Sequence, residues 1–444
     1  MNIIYNKKDM IAALATPYGK SAVAIIRISG DGCIKLLERF LSKPLKIGQL
    51  RYNTFKNGEF TEHLMAAAFK SPNSYTGEDT VELYPHGNMT VCDCIIKTLY
   101  ENGVRQAERG EFTERAFGNG KLDLMQCEAL ADIIDAQTTE QLIYGNKRFD
   151  GGFKSLSAVE QLLKRALSSV EAVLHYSDEM EDNEVDKAVI GDVYGSIDRA
   201  IGTLEGEVGG FAGGKIINDG FKVALIGSPN VGKSTLLNAL TDSDRAIVTD
   251  IAGTTRDTLD GEYVFNGRKF VITDTAGLNE DAQDKVEKIG ITRALAAAEQ
   301  ADAVIIVTDC DTKIKAEQFK RCFTVKNKCD GVSDVGTDYN SATDGNGMLQ
   351  ISAKTGKNIT AVKQKLYDMC PKDFGAICNH RQYDCVLRCL DSLKAAKTEL
   401  NKAEGLEIIA ALLYEAYSAI TELHGEQADE SVITAVFERF CVGK

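Results

Sequence analysis

Short runs of apolar residues dominate the first part of the chain, and longer helical patterns replace them after residue 122. Val23–Ile28 is a β-rich run, and Gly, Pro and Asn turns separate it from its neighbours. From residue 122 to 208, apolar residues recur on one helical face, as at Leu156, Val159, Leu163 and Val170. The pattern predicts a compact α+β domain over residues 1–121 and packed helices after it.

A second change follows the glycine-rich segment Gly209–Gly214, whose composition predicts a flexible linker. Phe221–Gly227 is a short apolar strand that ends in glycine, and further strand patterns occur at Phe270–Thr273 and Ala303–Thr308. Helical stretches separate these strands, an alternation typical of a parallel sheet. We therefore predict an α/β domain over residues 219–371.

The chain becomes helical again after Pro371, with Ile409, Leu413, Tyr417 and Ile420 on one face. Neither this segment nor residues 122–218 needs to form a complete core alone. The simplest interpretation is that residues 122–218 and 372–444 pack together as one α-helical bundle domain, with the α/β domain inserted between its two parts. The predicted fold class is thus multidomain.

Composition and charge narrow the possible functions. The 444 residues are 44% hydrophobic and 26% charged, which is typical of a globular protein of several domains. A formal net charge of −14 argues against non-specific coating of nucleic acid, so an RNA partner must be held locally. The first residues lack the apolar core of a signal peptide, and no run of ~18 apolar residues could span a bilayer. We therefore predict a cytoplasmic protein with no membrane partner.

The 12 cysteines show no spacing typical of metal ligands. The closest neighbours are Cys92 and Cys94, with Cys385 and Cys389 next, and few histidines lie near them. Free cysteine packs like a small apolar residue. We predict that most of these thiols are reduced and buried, with Cys441 as the exception.

A phosphate-binding motif occupies Gly227–Ser234, which matches GxxxxGK[ST] between a strand and the start of an apolar helix. The glycines let backbone N–H groups approach phosphate oxygens. Lys233 would add positive charge beside the β- and γ-phosphates, and Ser234 would bind Mg²⁺. The sequence therefore predicts a P-loop nucleotide hydrolase.

Two further segments match parts of a GTPase site. Asp274 follows a strand, where it would hold a magnesium-bound water, and the backbone N–H of Gly277 would face the γ-phosphate. Thr254 and Thr255 lie on an earlier polar loop suited to closing over Mg²⁺. We predict Ser234 and Thr255 as Mg²⁺ ligands, and Thr255 with Lys233 as catalytic residues.

The motif Asn327-Lys328-Cys329-Asp330 identifies the base. A carboxylate at Asp330 can accept hydrogen bonds from N1–H and the exocyclic amino group of guanine, and adenine offers no such pair of donors. Ser352–Lys354 would brace the base. Only Phe323–Val325 remains as strand before the motif, which predicts a truncated strand and a weaker affinity for the base.

A residue other than glutamine must orient the attacking water, because Leu278 lies where Ras-like GTPases have a glutamine. The segment 284–290 supplies carboxylates for this role. The predicted GTP contacts are Asn230, Val231, Gly232, Lys233, Ser234, Thr235, Thr249, Asp250, Ile251, Ala252, Gly253, Thr254, Thr255, Asp274, Thr275, Ala276, Gly277, Asn327, Lys328, Asp330, Ser352, Ala353 and Lys354.

Three regions outside these motifs are absent from generic GTPases. They are Ile25–Gly30 after Thr16-Pro17, Ser74–Asp79 with Glu111–Asp123, and the terminal Phe440–Lys444. Together with the nucleotide motifs they resemble the MnmE (TrmE) family of tRNA-modifying GTPases over essentially the whole chain. The resemblance implies a homodimer whose N-terminal domain is folate-binding-like, with a helical domain and an inserted Ras-like P-loop GTPase domain.

The resemblance also implies a one-carbon donor, 5-formyl- or methylene-tetrahydrofolate, bound by Arg27, Glu82, Lys121 and Lys444. Without the resemblance, the first three would be interpreted as surface ion pairs and the last as a frayed terminus. Cys441 lies in the terminal motif of the family and is a possible reactive thiol. Only a locally positive environment would make it a thiolate at neutral pH.

The family resemblance further implies K⁺ at the interface of two nucleotide domains, in place of an arginine finger. Asn230, Thr249, Ile251 and Thr254 match its ligands, and Glu287 matches the residue that orients the attacking water. A fixed positive charge beside the phosphates would stabilise the charge that develops in the transition state.

The function implied is a K⁺-dependent GTP hydrolase that works with a flavin-dependent MnmG (GidA) partner in a heterotetramer. It would add a carboxymethylaminomethyl or aminomethyl group to C5 of the wobble uridine of certain tRNAs. One alternative is a regulatory or ribosome-assembly GTPase that acts as a binding switch, although its RNA-binding domain should be basic whereas Ser177–Glu184 is acidic. Another is a one-carbon transferase acting on a small molecule, which would leave the GTPase domain without a purpose.

Overall fold

The computed structural model describes residues 9–58, 60–176, 183–241, 260–274, 297–310, 319, 321–345, 347–402 and 405–444. The chain divides into two compact units. The first unit comprises Met1–Ile134, Arg148–Ile201 and Cys385–Lys444, and the second comprises Asp135–Lys147 and Gly202–Asp384. The domain bounds drawn from the sequence remain a prediction.

A six-stranded sheet forms the α+β part of the first unit, with strand order β4-β5-β6-β3-β1-β8. Neighbours pair antiparallel except β1 and β8. The β-rich run at residues 23–28 is divided between two strands, because β2 pairs with β7 whereas β3 pairs with β1 and β6. The strands are β1 Ile11–Leu14, β2 Ser21–Val23, β3 Ile26–Ser29, β4 Arg51–Asn57, β5 Phe60–Phe69, β6 Thr80–Tyr84, β7 His86–Gly87 and β8 Arg105–Gln106.

Helices complete this unit and confirm the change in pattern after residue 122. The apolar face of α6, Lys154–Tyr176, is buried at Leu156, Val159 and Leu163, and α6 packs against the helix Leu406–His424. Buried Asp132 accepts hydrogen bonds from Arg148 and Arg439, so an ion triad joins three separate segments. The helices of the chain up to the nucleotide domain are α1 Cys33–Leu37, α2 Met89–Glu101, α3 Glu111–Gly118, α4 Leu124–Asp135, α5 Thr139–Lys147, α6 Lys154–Tyr176 and α7 Asn183–Asp219.

The second unit contains the predicted α/β sheet, with strand order β10-β11-β9-β12-β13-β14. All neighbouring strands are parallel except β10 and β11, which form a hairpin. The elements of this sheet and the helices packed on it are β9 Phe221–Ile226, α8 Lys233–Thr241, β10 Asp260–Phe265, β11 Arg268–Asp274, β12 Ala303–Thr308, β13 Cys322–Lys326, β14 Leu349–Gln350 and α9 Ile359–Met369. The helices that follow them in the chain are α10 His380–Lys402, α11 Leu406–His424 and α12 Glu430–Phe437.

The strand before the guanine motif is longer than the sequence predicts. Cys322 and Lys326 extend the predicted core Phe323–Val325 at both ends, and all five residues pair with β12 from Val304 to Thr308. The expectation of a strand reduced to three residues was therefore wrong. Backbone pairing with a fully buried neighbouring strand replaces the missing apolar side chains.

The glycine-rich segment Gly209–Gly214 is not a linker. It lies inside α7, which continues to Asp219. A Cβ atom on Gly213 would lie 2.1 Å from the backbone O of Asp373, and one on Gly210 would lie 2.3 Å from the backbone N of Gly375. The composition-based prediction was wrong because these glycines give space for a neighbouring backbone rather than flexibility.

Helix α5 lies in the same unit as the nucleotide sheet. Its Glu140 forms an ion pair with Arg268 at the first residue of β11. The Tyr144 hydroxyl donates to the backbone O of Gly375 over 2.7 Å, and Gln141 Nε2 donates to the backbone O of Asn218 over 3.0 Å. These contacts fix α5 to the base of the sheet and to the end of α7.

All twelve cysteines are free thiols, and seven of them are buried. Cys310 is exposed as well as Cys441. In the described ranges, no helix is both long and apolar enough to cross a membrane.

Candidate functional site

The phosphate-binding loop joins β9 to α8 and has the backbone that its glycines permit. Gly232 has φ +94°, and a Cβ there would lie 2.4 Å from Nδ2 of Asn327. A Cβ on Gly227 would lie 2.2 Å from the backbone O of Val307 on β12. Asn230 has φ 63°, its side chain is exposed, and it has no hydrogen-bond partner within the described ranges. The loop is therefore tightly turned, and the side-chain amide of Asn230 is exposed at its tip.

Lys233 lies at the first residue of α8 and is only 8% exposed. Its Nζ donates to the backbone oxygens of Gly227 and Ser228, each over 3.1 Å. Burial lowers the pKa of Lys233, and the negative charge of Asp274 acts in the opposite direction. The ammonium group is thus held inside the loop, where phosphate oxygens would replace the two carbonyl groups.

Ser234 and Asp274 form the predicted metal-binding pair. Ser234 Oγ donates to Asp274 Oδ2 over 2.6 Å, which joins α8 to the end of β11. Asp274 Oδ1 is buried and has no hydrogen-bond partner among the described residues. A buried carboxylate oxygen is costly unless a cation or a donor compensates it. A hard divalent cation that takes oxygen ligands fits this pair.

The base motif follows β13 and is braced by two loops. Asn327 is buried, its Nδ2 donates to the backbone O of Val231 over 2.9 Å, and its Oδ1 accepts from the N–H of Ala353 over 3.0 Å. Asn327 therefore fixes the phosphate-binding loop and the Ser352–Lys354 loop to one another. Ser352 Oγ donates to Asp330 Oδ1 over 2.6 Å, which orients the exposed carboxylate.

Two residues of this site, Lys357 and Asp309, were not found from the sequence. Lys357 Nζ donates to the backbone O of Asp330 over 2.9 Å. Lys328 Nζ donates to Asp309 Oδ2 over 2.7 Å, and this hydrogen bond lowers the pKa of the Asp309 carboxyl. Asp309 directly follows β12, so the position of a polar residue at the carboxyl end of a parallel strand was the signal available.

Two more predicted contacts lie where the motif places them, and the rest cannot be located. Thr235 follows Ser234 in the first turn of α8, and Lys354 is exposed beside buried Ala353. The other predicted positions lie outside the described residues; these are Thr249, Asp250, Ile251, Ala252, Gly253, Thr254, Thr255, Thr275, Ala276, Gly277 and Glu287.

A second cluster lies in the first unit around Arg27. Its Nε donates to Glu82 Oε1 over 2.9 Å across the β3–β6 pair, and its Nη1 donates to the backbone O of Gly443 over 3.2 Å. The Tyr84 hydroxyl donates to the other oxygen of Glu82. Burial and the neighbouring carboxylate raise the pKa of Tyr84 to about 12. The C-terminal motif thus reaches a polar cluster of the N-terminal sheet.

The terminal residues are held by backbone contacts rather than frayed. Val442 forms a β-bridge with Arg109, and a Cβ on Gly443 would lie 2.5 Å from the backbone O of Leu14. Lys444 is partly buried, and Cys441 is exposed. Lys121 Nζ donates to the backbone O of Pro72 over 3.2 Å, and Lys121 forms no hydrogen bond with Arg27 or Glu82 in the described part of the chain.

Comparison with known proteins matches nearly the whole chain. Residues 10–121 match the family model described as the GTP-binding protein TrmE N-terminus, and residues 124–441 match the MnmE helical domain. A protein of Thermotoga petrophila named tRNA modification GTPase MnmE is 35% identical over 98% of this chain and 100% of its own length. The protein of that name from Fervidobacterium nodosum is 35% identical over 100% of both chains.

Two solved structures that resemble the chain each cover less than half of it. A structure of Aquifex aeolicus Era bound to GDP and AlF4⁻ is 23% identical, covers 42% of this chain and 69% of its own, and has a TM-score of 0.27. The FeoB G-domain from Methanococcus jannaschii is 24% identical, covers 34% of this chain and 97% of its own, and has a TM-score of 0.25. Both family models and the full-length relatives agree with the multidomain fold class predicted from the sequence. The chain therefore belongs to the MnmE (TrmE) family.

Proposed function

We propose that this protein is a GTP hydrolase of the cytoplasm that takes part in the modification of wobble uridine in tRNA. The observation that carries the nucleotide part is the cradle around Gly232, in which Lys233, the Ser234–Asp274 pair and Asn327 converge. The names of its full-length relatives support the tRNA part. Base recognition by Asp330, held by Ser352, would select GTP over ATP.

In this proposal, each described residue has a separate task in hydrolysis. Lys233 exchanges its two carbonyl partners for phosphate oxygens and stabilises the charge that develops on them. Ser234 and Asp274 would hold Mg²⁺, and the ion would supply charge neutralisation at the phosphates. The predicted ligand Thr255 and the water-orienting Glu287 complete this account as expectations from the family.

The finer part of the proposal concerns K⁺. Asn230 supports it, because its exposed amide stands at the tip of the phosphate-binding loop without a hydrogen-bond partner among the described residues. Thr249, Ile251 and Thr254 would supply further oxygens when two nucleotide domains meet in the homodimer. The monovalent cation would then add positive charge beside the phosphates.

The one-carbon part of the proposal rests on the Arg27 cluster. Arg27 also lies over the rings of Tyr75 and Phe112, with its guanidinium 5.3 and 5.7 Å from the ring centroids. Paired acidic and basic groups beside aromatic rings suit a flat heterocycle with donors and acceptors, such as a tetrahydrofolate. Glu82 is already paired with Arg27, so a bound ligand would have to share or replace that contact. Lys121, Lys444 and the MnmG partner belong to the same proposal.

GTP turnover in KCl and NaCl at equal ionic strength tests the proposal. We expect turnover to be strongly faster in KCl and unchanged on further addition of NaCl. Asn230→Gly should remove this stimulation, because glycine keeps the left-handed backbone and removes the side-chain oxygen. Asn266→Gly is the matched control, since Asn266 also has a positive φ, 51°, but lies in the β10–β11 turn.

The outcomes separate the two levels of the proposal. Equal turnover in both salts contradicts the role of K⁺ and favours a nucleotide-controlled binding switch. Absence of GTP turnover in either salt contradicts the hydrolase itself. For the tRNA part, the chain is mixed with an MnmG-type flavoprotein, tRNA, a tetrahydrofolate donor, GTP with Mg²⁺ and K⁺, and glycine or ammonium as the nitrogen donor, and the nucleosides are analysed by mass spectrometry. Unmodified wobble uridine in that mixture would contradict the proposed substrate.

A further inference from the structure

A polar cavity of about 520 Å³ lies between α6 and α7 in the first unit, far along the chain from both clusters described above. We call it the α6–α7 cavity. Its walls are formed by Lys164, Arg165, Ala166, Ser168, Ser169, Asp192, Val193, Ser196 and Arg199. Three of these residues are cationic and three carry hydroxyl groups. A space of this size lined by such groups holds water or a polar ligand rather than remaining empty.

The donors on the α6 side are not used by the protein itself. Arg165 and the hydroxyls of Ser168 and Ser169 have no hydrogen-bond or ion-pair partner within the described residues. Lys164 differs, because its Nζ pairs with Glu160 over 2.6 Å and lies over the ring of Tyr417. On α6, Arg165 is therefore the cationic residue of the cavity that has no acidic partner among the described residues.

The α7 side presents a second guanidinium and one carboxylate. Arg199 Nε donates to the backbone O of Gly195 over 3.0 Å, a contact that fixes the side chain along the helix. Ser196 Oγ donates to the backbone O of Asp192 over 2.9 Å. Asp192 is exposed, and its carboxylate has no donor among the described residues. The walls of the cavity thus carry two guanidinium groups, serine hydroxyls and the carboxylate of Asp192.

This combination of groups is suited to bind a phosphodiester together with a hydroxyl group of the adjoining sugar. A guanidinium binds a phosphate through two parallel N–H···O contacts, and serine hydroxyls add further donors to its oxygens. A carboxylate would repel a simple anion but accepts a hydrogen bond from a ribose 2′-hydroxyl, the group that distinguishes RNA from DNA. With a net charge of −14, the chain cannot bind RNA through its overall field, so a local site is required.

We propose that the α6–α7 cavity binds a backbone phosphate and the adjoining ribose of the tRNA substrate, through Arg165 and Arg199 on the phosphate and Asp192 on the 2′-hydroxyl. The inference rests on the proposed function, because it names the site at which that function's RNA is held.

The test measures the dissociation constant of the full-length protein for an unmodified tRNA transcript between 50 and 200 mM KCl. The double variant Arg165→Gln/Arg199→Gln keeps two polar side chains and removes both charges. We expect binding about tenfold weaker at the higher salt, and a salt dependence of log K lower by about 1 because one phosphate is no longer neutralised. The double variant Lys97→Gln/Lys402→Gln removes the same charge from exposed helical positions and should bind within about twofold of wild type.

Two further measurements keep the result specific. GTP turnover and the thermal unfolding midpoint of Arg165→Gln/Arg199→Gln should equal those of wild type, since Arg165 and Arg199 are exposed and lie outside the nucleotide motifs. Asp192→Ala removes the acceptor for the 2′-hydroxyl and should narrow the preference in affinity for the tRNA transcript over DNA of the same sequence. An unchanged preference would overturn the assignment of Asp192.

Failure of this inference differs from failure of the proposed function. If wild type binds tRNA and Arg165→Gln/Arg199→Gln binds it equally well, the cavity is not the site, although the function stands. If wild type binds no tRNA, the inference is overturned, whereas the proposed function is decided separately by the nucleoside analysis with the flavoprotein partner. Loss of binding to phosphatidylglycerol vesicles in the double variant, with tRNA binding intact, would assign the cavity to lipid headgroups and overturn the proposal.

Discussion

Two glycine-containing segments lie on either side of β9, and glycine has a different role in each. In Gly209–Gly214 the glycines continue the regular helix α7, and the missing side chains let the backbone of residues 373–377 approach. In Gly227–Gly232 the chain is tightly turned, and Gly232 has a φ of +94° that other residues rarely adopt. The first segment therefore belongs to the packing of the second unit and the other to its chemistry.

The contrast shows that composition alone does not reveal why a glycine is present. Both segments contain several glycines between apolar elements, and only the second is followed by the Lys233-Ser234 pair that a phosphate site requires. We expect changes in the phosphate-binding loop to alter turnover with little effect on unfolding. Changes in the helical glycines should do the reverse.

The strongest test of this contrast is Lys233→Met, which keeps the length of the side chain and removes its charge. We expect GTP turnover to fall by about a thousandfold, or about 4 kcal/mol in the activation free energy, because an interaction with the developing phosphate charge is lost. The free energy of unfolding should not fall, since a desolvated ammonium is removed. Lys222→Met is the control, because Lys222 is the exposed residue of β9. Turnover within tenfold of wild type would contradict the assignment.

Asp330→Asn tests the base-recognition part of the same region. Its Oδ1 can still accept from Ser352, but the amide replaces an acceptor for guanine with a donor. We expect affinity for GTP to fall on the order of a hundredfold, about 2 to 3 kcal/mol, and affinity for XTP to rise. Calorimetric titration with both nucleotides measures this, with Asp368→Asn on α9 as control. Unchanged preference for GTP would show that another group reads the base.

Gly213→Ala tests the other segment. A Cβ 2.1 Å from the backbone O of Asp373 must displace that backbone, so we expect the free energy of unfolding to fall by about 2 kcal/mol. Urea unfolding followed by circular dichroism measures the loss. The affinity of the folded protein for GTP should be that of wild type. A variant as stable as wild type would contradict the close approach of the two backbones.

Gly209→Ala has the smallest expected effect and the opposite sign. Gly209 is an exposed helical residue, and a Cβ there would meet nothing within 4 Å. Alanine lowers the entropy of the unfolded chain and favours helix, so we expect a gain of about 0.5 to 1 kcal/mol in unfolding free energy. The same urea experiment measures it. A loss of stability would indicate that the segment is not helical and would favour the linker interpretation.

Much of the nucleotide domain could be predicted from the sequence because its motifs are local. Residues 303–308 form a strand within the predicted bounds, since the five consecutive apolar residues 303–307 suit a strand buried on both faces. The Lys233-Ser234 pair and Asn327 lie in the cradle expected from their motifs, and the structure adds the contacts through which Asn327 holds two loops.

What could not be predicted depends on partners that are distant in the chain. The helical state of Gly209–Gly214 depends on the segment near Gly375, more than a hundred residues later. Arg27 meets the backbone of Gly443 across nearly the whole sequence. Cys322 and Lys326 join β13 only because β12 offers a paired edge. No hydrophobic period or local motif contains this information.

The central claim is that the second unit carries a guanine nucleotide site, and direct binding tests it. Titration calorimetry of the wild-type protein with GTP and with ATP, each with Mg²⁺, compares the two bases under the same conditions. We predict that GTP binds at least about a hundredfold more tightly, because the Asp330 carboxylate finds two donors on guanine and none in that arrangement on adenine. Equal affinities for GTP and ATP would contradict the account.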